Sequence, residues 1–191
     1  HHFKDGFRED AIEPFFHTSI YDIGARTLIA EGFLTPPVFD SVADHYDTIG
    51  MTVNARGQFN AADVETAFVG RGRKTSGIVA DIVAKSRDRN GVMIFAATIQ
   101  HAKEVLESLP YGARLVTGET DKEERKKIID DFKARKYKYL VNVAVLTTGF
   151  DASHVDVIAI MRATESVALL QQIIGRGLRL DDGKTDCLVL D

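Results

Sequence analysis

A chain of 191 residues, 45% hydrophobic and 27% charged, has enough apolar side chains for one good core with a smaller appendage, which excludes a disordered tail. Its formal charge of -4 at pH 7 leaves no overall basic footprint, so any contact with nucleic acid has to come from a local patch. The longest apolar runs, 155–161 and 188–190, fall far short of the ~18 residues that span a bilayer, and no cationic-apolar leader opens the sequence, so no membrane partner and a cytoplasmic setting are expected.

In chain order, His1-His2 reads as the remnant of a tag, and a helix is expected from Asp22 to Glu31, stopped by Gly32. Pro36-Pro37 then imposes an extended path. Val38 to Phe68, with scattered acids, isolated glycines and one short helical signal from Ala61, reads as a connector and lid. Gly70-Arg-Gly72-Arg-Lys74-Thr75 invites a phosphate-loop interpretation, but Arg73 stands where the loop needs glycine and no buried strand precedes it. A basic helix start fits better, with Ile78, Val79, Ile82 and Val83 giving a helix from about Thr75 to Ser86.

From there, strands and helices alternate. Strands are expected at Val92–Ala96, Arg114–Val116, Tyr139–Val143, Val155–Ile160 and Cys187–Leu190, most of them continuously apolar and so covered on both faces. Helical periods run through Ile99, Ala102, Val105 and Leu109; after a capping box of Thr120 and Glu123, through Ile128, Ile129 and Phe132; and after Thr164 as cap, through Val167, Leu170 and Ile174. The expected fold is α/β, a doubly wound, mostly parallel five-stranded sheet with helices on both faces, spanning 71–191, preceded by a connector over 1–70. Lys122 to Lys138 is rich in Lys and Arg, but its acids offset much of that charge and leave a solvated helix face. His101 and His154 lack partners at ligand spacing, the single Cys187 lies in an apolar run, and no metal site or disulfide is expected. The stop after Asp191 reads as the end of a fragment.

Two strings near the end carry chemistry: Thr147-Thr148-Gly149-Phe150-Asp151 and Gln172-Ile-Ile-Gly175-Arg176-Gly177-Leu-Arg179. On a helix of ~3.6 residues per turn, positions 172, 176 and 179 share one face, so an amide and two guanidiniums converge. Planar, permanently charged guanidiniums suit phosphate oxygens. Gly175 and Gly177 each weaken a helix by ~1 kcal/mol, which fits backbone pressed close to something or a helix end. Both loops are expected at one carboxyl edge of the sheet, where ligands of open parallel sheets collect.

These strings resemble motifs V and VI of superfamily-two helicases, and residues 91–191 look like their second RecA-like domain. Phe95-Ala-Ala-Thr98 resembles motif IV and Thr117-Gly118-Glu119 the small loop after it. Tyr139 through Asp151, Arg162-Ala-Thr-Glu-Ser166 and Gly183 through Asp191 are most similar to bacterial RadD-type DNA repair helicases, as is Leu28 through Pro37 to the exit from their first motor domain. The resemblance implies an ATP-dependent DNA helicase whose first RecA-like domain holds the ATP cradle and Mg. It implies that Asp151 holds the ribose, that Gly149 and Gly175 let backbone approach the nucleotide, and that Gln172 reaches the terminal phosphate or attacking water. Arg176 and Arg179 become arginine fingers, and Thr98 and Gly118 touch the backbone of single-stranded or branched DNA. Two departures stand out. Val143 replaces a backbone-binding threonine, for which Asn142 or main-chain amides are the expected substitutes, and of a usual Gln-x-x-Arg only Arg125 remains in Lys122-Glu-Glu-Arg125. A restriction-endonuclease motor, an RNA helicase and a non-hydrolysing scaffold are the alternatives.

Overall fold

The computed structural model describes residues 24–145, 150–164 and 166–191. Six strands, β1 (Pro37–Asp40), β2 (Gly91–Ala96), β3 (Arg114–Val116), β4 (Tyr139–Asn142), β5 (Val155–Met161) and β6 (Cys187–Leu190), form one sheet in the order β1-β6-β5-β2-β4-β3. Every pairing is parallel. The helices are α1 (Ala25–Ala30), α2 (Ala61–Phe68), α3 (Gly72–Lys85), α4 (Ile99–Ser108), α5 (Lys122–Lys133) and α6 (Val167–Gly175).

Strand side chains alternate between faces, and both faces are apolar here, so each needs its own layer of helices. Val92, Ile94 and Ala96 of β2 pack with Ile78 and Ile82 of α3 and with Ala102 and Val105 of α4. Met93 and Phe95 point the other way, toward Phe132 of α5 and Ile173 of α6. This is the doubly wound α/β fold that the apolar strands predict. Among the described residues no helix is long and apolar enough to cross a membrane.

The sheet differs from expectation at its rim. The segment read as connector contributes β1, in register Pro37↔Cys187 to Asp40↔Leu190, and Cys187 N–H donates to Pro36 O at 2.9 Å. Pro37 opens an edge strand, where a missing N–H costs no ladder bond. Two helix caps also move. Asp121, not Thr120, accepts the N–H groups of Glu123 and Glu124 at 2.9 and 3.3 Å, while Thr120 Oγ1 accepts from Thr117 N–H. Ser166, not Thr164, caps α6 by accepting from Leu169 N–H at 3.2 Å. Near the start, Gly32 follows α1 at φ +77°, a conformation suited to glycine after a helix end; Asp22 and Ile23 lie outside the described residues.

Residues 41–50 strap across α3. Lys85 pairs with Asp40 at 2.5 Å, Lys74 with Asp44 at 3.3 Å, and Ala43 N–H donates to Asp81 at 3.0 Å. Tyr46 fastens the strap to the core: its ring lies 4.7 Å from Phe68, and its hydroxyl sits 2.9 Å from both Thr75 Oγ1 and His101 Nε2. Ala97 N–H donates to His101 Nδ1, so the neutral ring carries its proton on Nε2 and donates to Tyr46, which donates on to Thr75. His101 is fully buried, and burial pushes its pKa from 6.5 down to about 4.

Two predictions concern stability. A Cβ on Gly177 would collide with Cys187 Sγ and lie 2.9 Å from Ile158 Cγ1, whereas one on Gly175 meets nothing within 4 Å. Gly177→Ala is therefore expected to destabilise the chain by about 1–3 kcal/mol, and Gly175→Ala to leave it unchanged or more stable by up to ~1 kcal/mol, as read by urea unfolding. The depressed His101 pKa makes the unfolded chain the better proton binder below 6.5. Its contribution, on the order of 3 kcal/mol, is whole above pH 6.5 and is lost as pH falls toward about 4. Unfolding titrations in steps from pH 7 to pH 4 check this, with His101→Phe giving the shallower slope.

Candidate functional site

Helix α6 buries Ile173 and stops at Gly175. Arg176 is its C-cap at φ -65° and ψ -33°, and Gly177 N–H closes the last turn on Ile174 O at 2.9 Å. The chain then runs irregularly through the buried Leu178, whose carbonyl accepts from Thr35 N–H at 2.7 Å. The single helical face expected for Gln172, Arg176 and Arg179 is therefore not formed, because the helix ends before either arginine. Gln172 stands exposed on α6.

The guanidiniums converge all the same. Arg176 Nη1 and Arg179 Nη1 donate to the same acceptor, Phe150 O, at 2.9 and 2.7 Å, and Arg179 Nη1 also reaches Asp151 Oδ1 at 2.6 Å. Phe150 is buried and holds its carbonyl in place, while the Asp151 side chain is 69% exposed. Burial lowers the Arg176 pKa, and the neighbouring Arg179 charge lowers it further against the opposing pull of Asp151. Two cations crowded on one neutral oxygen, beside an open carboxylate, make a place suited to an anion with hydroxyls nearby. Gly175 is exposed and its open surroundings leave room for a ligand's approach. Gly149 lies outside the described residues.

The position of this cluster corrects an expectation. Gly177 rests on Cys187, the first residue of β6, and Arg179 O is linked through one side chain to Val155 O, the first residue of β5. The cluster thus covers the amino ends of β5 and β6 on the α6 face. A parallel connection from β4 to β5 must return from the carboxyl edge to the amino edge, and Phe150-Asp151 is where it arrives.

The residues assigned to nucleic acid occupy the opposite, carboxyl edge. Thr98 follows β2 and caps α4, its hydroxyl accepting from His101 N–H at 3.1 Å. With Ala97, Arg162, Ala163 and three residues of α2 it lines a cleft of about 220 Å³. A second cleft of about 260 Å³ continues from Arg162 to Asp191 beneath the 41–50 strap. Gly118 follows β3, exposed and open, and its loop is held from α5 by Arg125, whose Nη2 donates to the carbonyls of Thr117, Gly118 and Thr120 at 3.0, 3.3 and 3.2 Å. Asn142 does not join them. It is fully buried in β4 and donates to Ile94 O of β2 at 3.1 Å, so its side chain ties strands together and is closed to a strand of nucleic acid on the surface. Arg162 figures in the sequence only within a string of family likeness and carries no expected role there, although a charge placed directly after an apolar strand was signal enough for one.

Among the described residues no group of three or more His, Cys, Asp or Glu side chains has metal-holding geometry. A Mg ion accompanying a nucleotide would find one exposed carboxylate here, Asp151, already paired with Arg179.

Residues 74–181, more than half of the chain, match the family described as helicase conserved C-terminal domain. A Schizosaccharomyces pombe protein named as a mitochondrial ATP-dependent helicase, irc3, is 43% identical over 107 residues, which cover 54% of this chain and 18% of that protein. The chain therefore spans under a fifth of this curated relative. A structure described as a fragment of an HsdR subunit of a type I restriction enzyme from Vibrio vulnificus superimposes with a TM-score of 0.74 at 24% identity, over 97% of this chain and 37% of that one. The Mycobacterium smegmatis helicase Lhr, bound to single-stranded DNA and AMP-PNP, superimposes with a TM-score of 0.58 at 20% identity, over 82% of this chain and 19% of that one. At such identities both structures bear on the fold alone. The six-stranded parallel sheet and the match over residues 74–181 together mean that this chain belongs to the helicase conserved C-terminal domain family.

Proposed function

We propose that this chain is the C-terminal motor domain of an ATP-dependent DNA helicase or translocase, of the RadD-type DNA repair class, working in the cytoplasm. Residues 71–191 are its second RecA-like lobe, and 1–70 lead from a first lobe that holds the ATP phosphates and Mg. The convergence of Arg176 and Arg179 on Phe150 O, beside the open carboxylate of Asp151, carries this proposal. A carbonyl is a neutral acceptor. A phosphate oxygen adds a full opposite charge and can be held bidentately, so the two side chains would exchange Phe150 O for the terminal phosphates once the first lobe closes. Phosphoryl transfer needs little from the protein beyond position and charge, which lets the catalytic set be split between two lobes. Asp151 would then take the ribose hydroxyls, Gln172 the terminal phosphate or attacking water, and Gly149 and Gly175 would leave room for the nucleotide. Thr98 and Gly118, on the other edge, would carry the backbone of single-stranded or branched DNA.

A second proposal, the motor part of a restriction enzyme, draws on the fold likeness to the HsdR subunit fragment over nearly the whole chain. An RNA helicase would use the same residues.

In the intact protein, Arg176→Ala is expected to lower ATP turnover by roughly 10³-fold or more with ATP affinity largely kept; a turnover equal to wild type removes Arg176 from the chemistry. ATP hydrolysis by the intact protein is expected to rise with single-stranded or forked DNA and not with RNA, while chain 1–191 alone hydrolyses none. Stimulation by RNA alone would favour the RNA helicase, and nuclease activity on duplex DNA the restriction motor.

A further inference from the structure

Lys184 joins the backbones of the two halves of the candidate nucleotide site. Its Nζ donates to Arg179 O at 2.7 Å, to Val155 O at 2.7 Å and to Ser153 O at 3.1 Å. An ammonium has three hydrogens, and three carbonyls use all of them. One of these carbonyls belongs to the residue carrying a guanidinium of the site; another lies two residues past Asp151. The second lone pair of Arg179 O is taken by Thr35 Oγ1 at 3.2 Å, from a residue 2% exposed. The guanidiniums of the site cross the same gap with their own tips, whereas Lys184 ties backbone to backbone. Asp181 adds a weaker tie from the same turn, accepting from Ser153 Oγ at 2.9 Å.

We propose that Lys184 is a positioning residue for ATP hydrolysis: it fixes the spacing between the Arg179 backbone and the Asp151 ledge, and thereby aims the Arg179 guanidinium. Its half-buried setting and its three carbonyls give it no access to a ligand, so it acts through Arg179. A displacement of about 1 Å in a group aimed at a reacting phosphoryl is enough to cost up to 10²-fold in rate, which sets the scale of the effect. This proposal rests on Arg179 acting as a finger, and the experiment separates the two.

The test is a double-mutant cycle in the intact protein with nucleic-acid-stimulated ATP hydrolysis as readout. Lys184→Met keeps the aliphatic stem and removes the donors. It is expected to lower kcat by about 10- to 100-fold, with KM for ATP within about 2-fold of wild type. In the Arg179→Ala background the same substitution is expected to add less than about 2-fold, because the group it aims is gone. Full additivity of the two substitutions, or an unchanged kcat in Lys184→Met, overturns the positioning role while Arg179 remains a finger. An unchanged kcat in Arg179→Ala overturns the finger itself. Should Lys184→Met unfold at the assay temperature, Thr35→Val, which deletes the other donor to Arg179 O, carries the same cycle with a smaller expected loss.

Discussion

Gly177 presses bare backbone against the thiol of Cys187 and the side chain of Ile158, and the arrangement of the candidate site follows from that contact. No residue with a Cβ fits there without displacing the Cys187 or Ile158 side chain. The contact ends α6, turns the chain onto the amino ends of two strands and sends the next residues toward the Phe150 loop. Two glycines flanking Arg176 already weaken a helix at this point. Close packing at Gly177 acts in the same direction, and the two guanidiniums reach a common carbonyl from unlike backbone positions.

The fold assigns its two kinds of candidate residue to opposite ends of one sheet. At the carboxyl ends of β2 and β3, Thr98 and Gly118 border open surface and a cleft; at the amino ends of β5 and β6, Arg176 and Arg179 face Asp151. The continuously buried strands β2, β4, β5 and β6 lie between, a densely packed layer that yields little to strain. A load applied at one end is therefore passed to the other by rigid displacement of the layer, which is the mechanical property a domain needs if nucleotide and polymer are to be felt at separate places.

The central strands were legible because long runs of Val, Ile and Leu permit little else, and the helices because their apolar residues recur at the helical period. What escaped was set by partners distant in sequence. β1 exposes Val38 and Phe39 and owes its strand conformation to β6, about 150 residues away, so nothing local distinguished it from a connector. Asp121 displaced Thr120 as cap because Thr120 was engaged by Thr117 N–H, and Ser166 displaced Thr164 because α6 begins at Val167 and Ser166 alone stands at its N-cap. Asn142 looked available only because its position on β4 could not be weighed against Ile94 O. The arginines were found for a reason that the structure replaces: spacing on a helix suggested convergence, and a broken helix achieves it.

Cys187 is the only sulfhydryl in the sequence; it is fully buried, and burial raises its pKa to about 12. A thiol in that condition is inert to alkylating reagents until its cover lifts. Part of that cover is the backbone of Gly177, between the two arginines. Alkylation kinetics at this one sulfur would thus count the excursions of the very segment that presents the guanidiniums, giving the native sequence a chemical clock for its own opening without an added label.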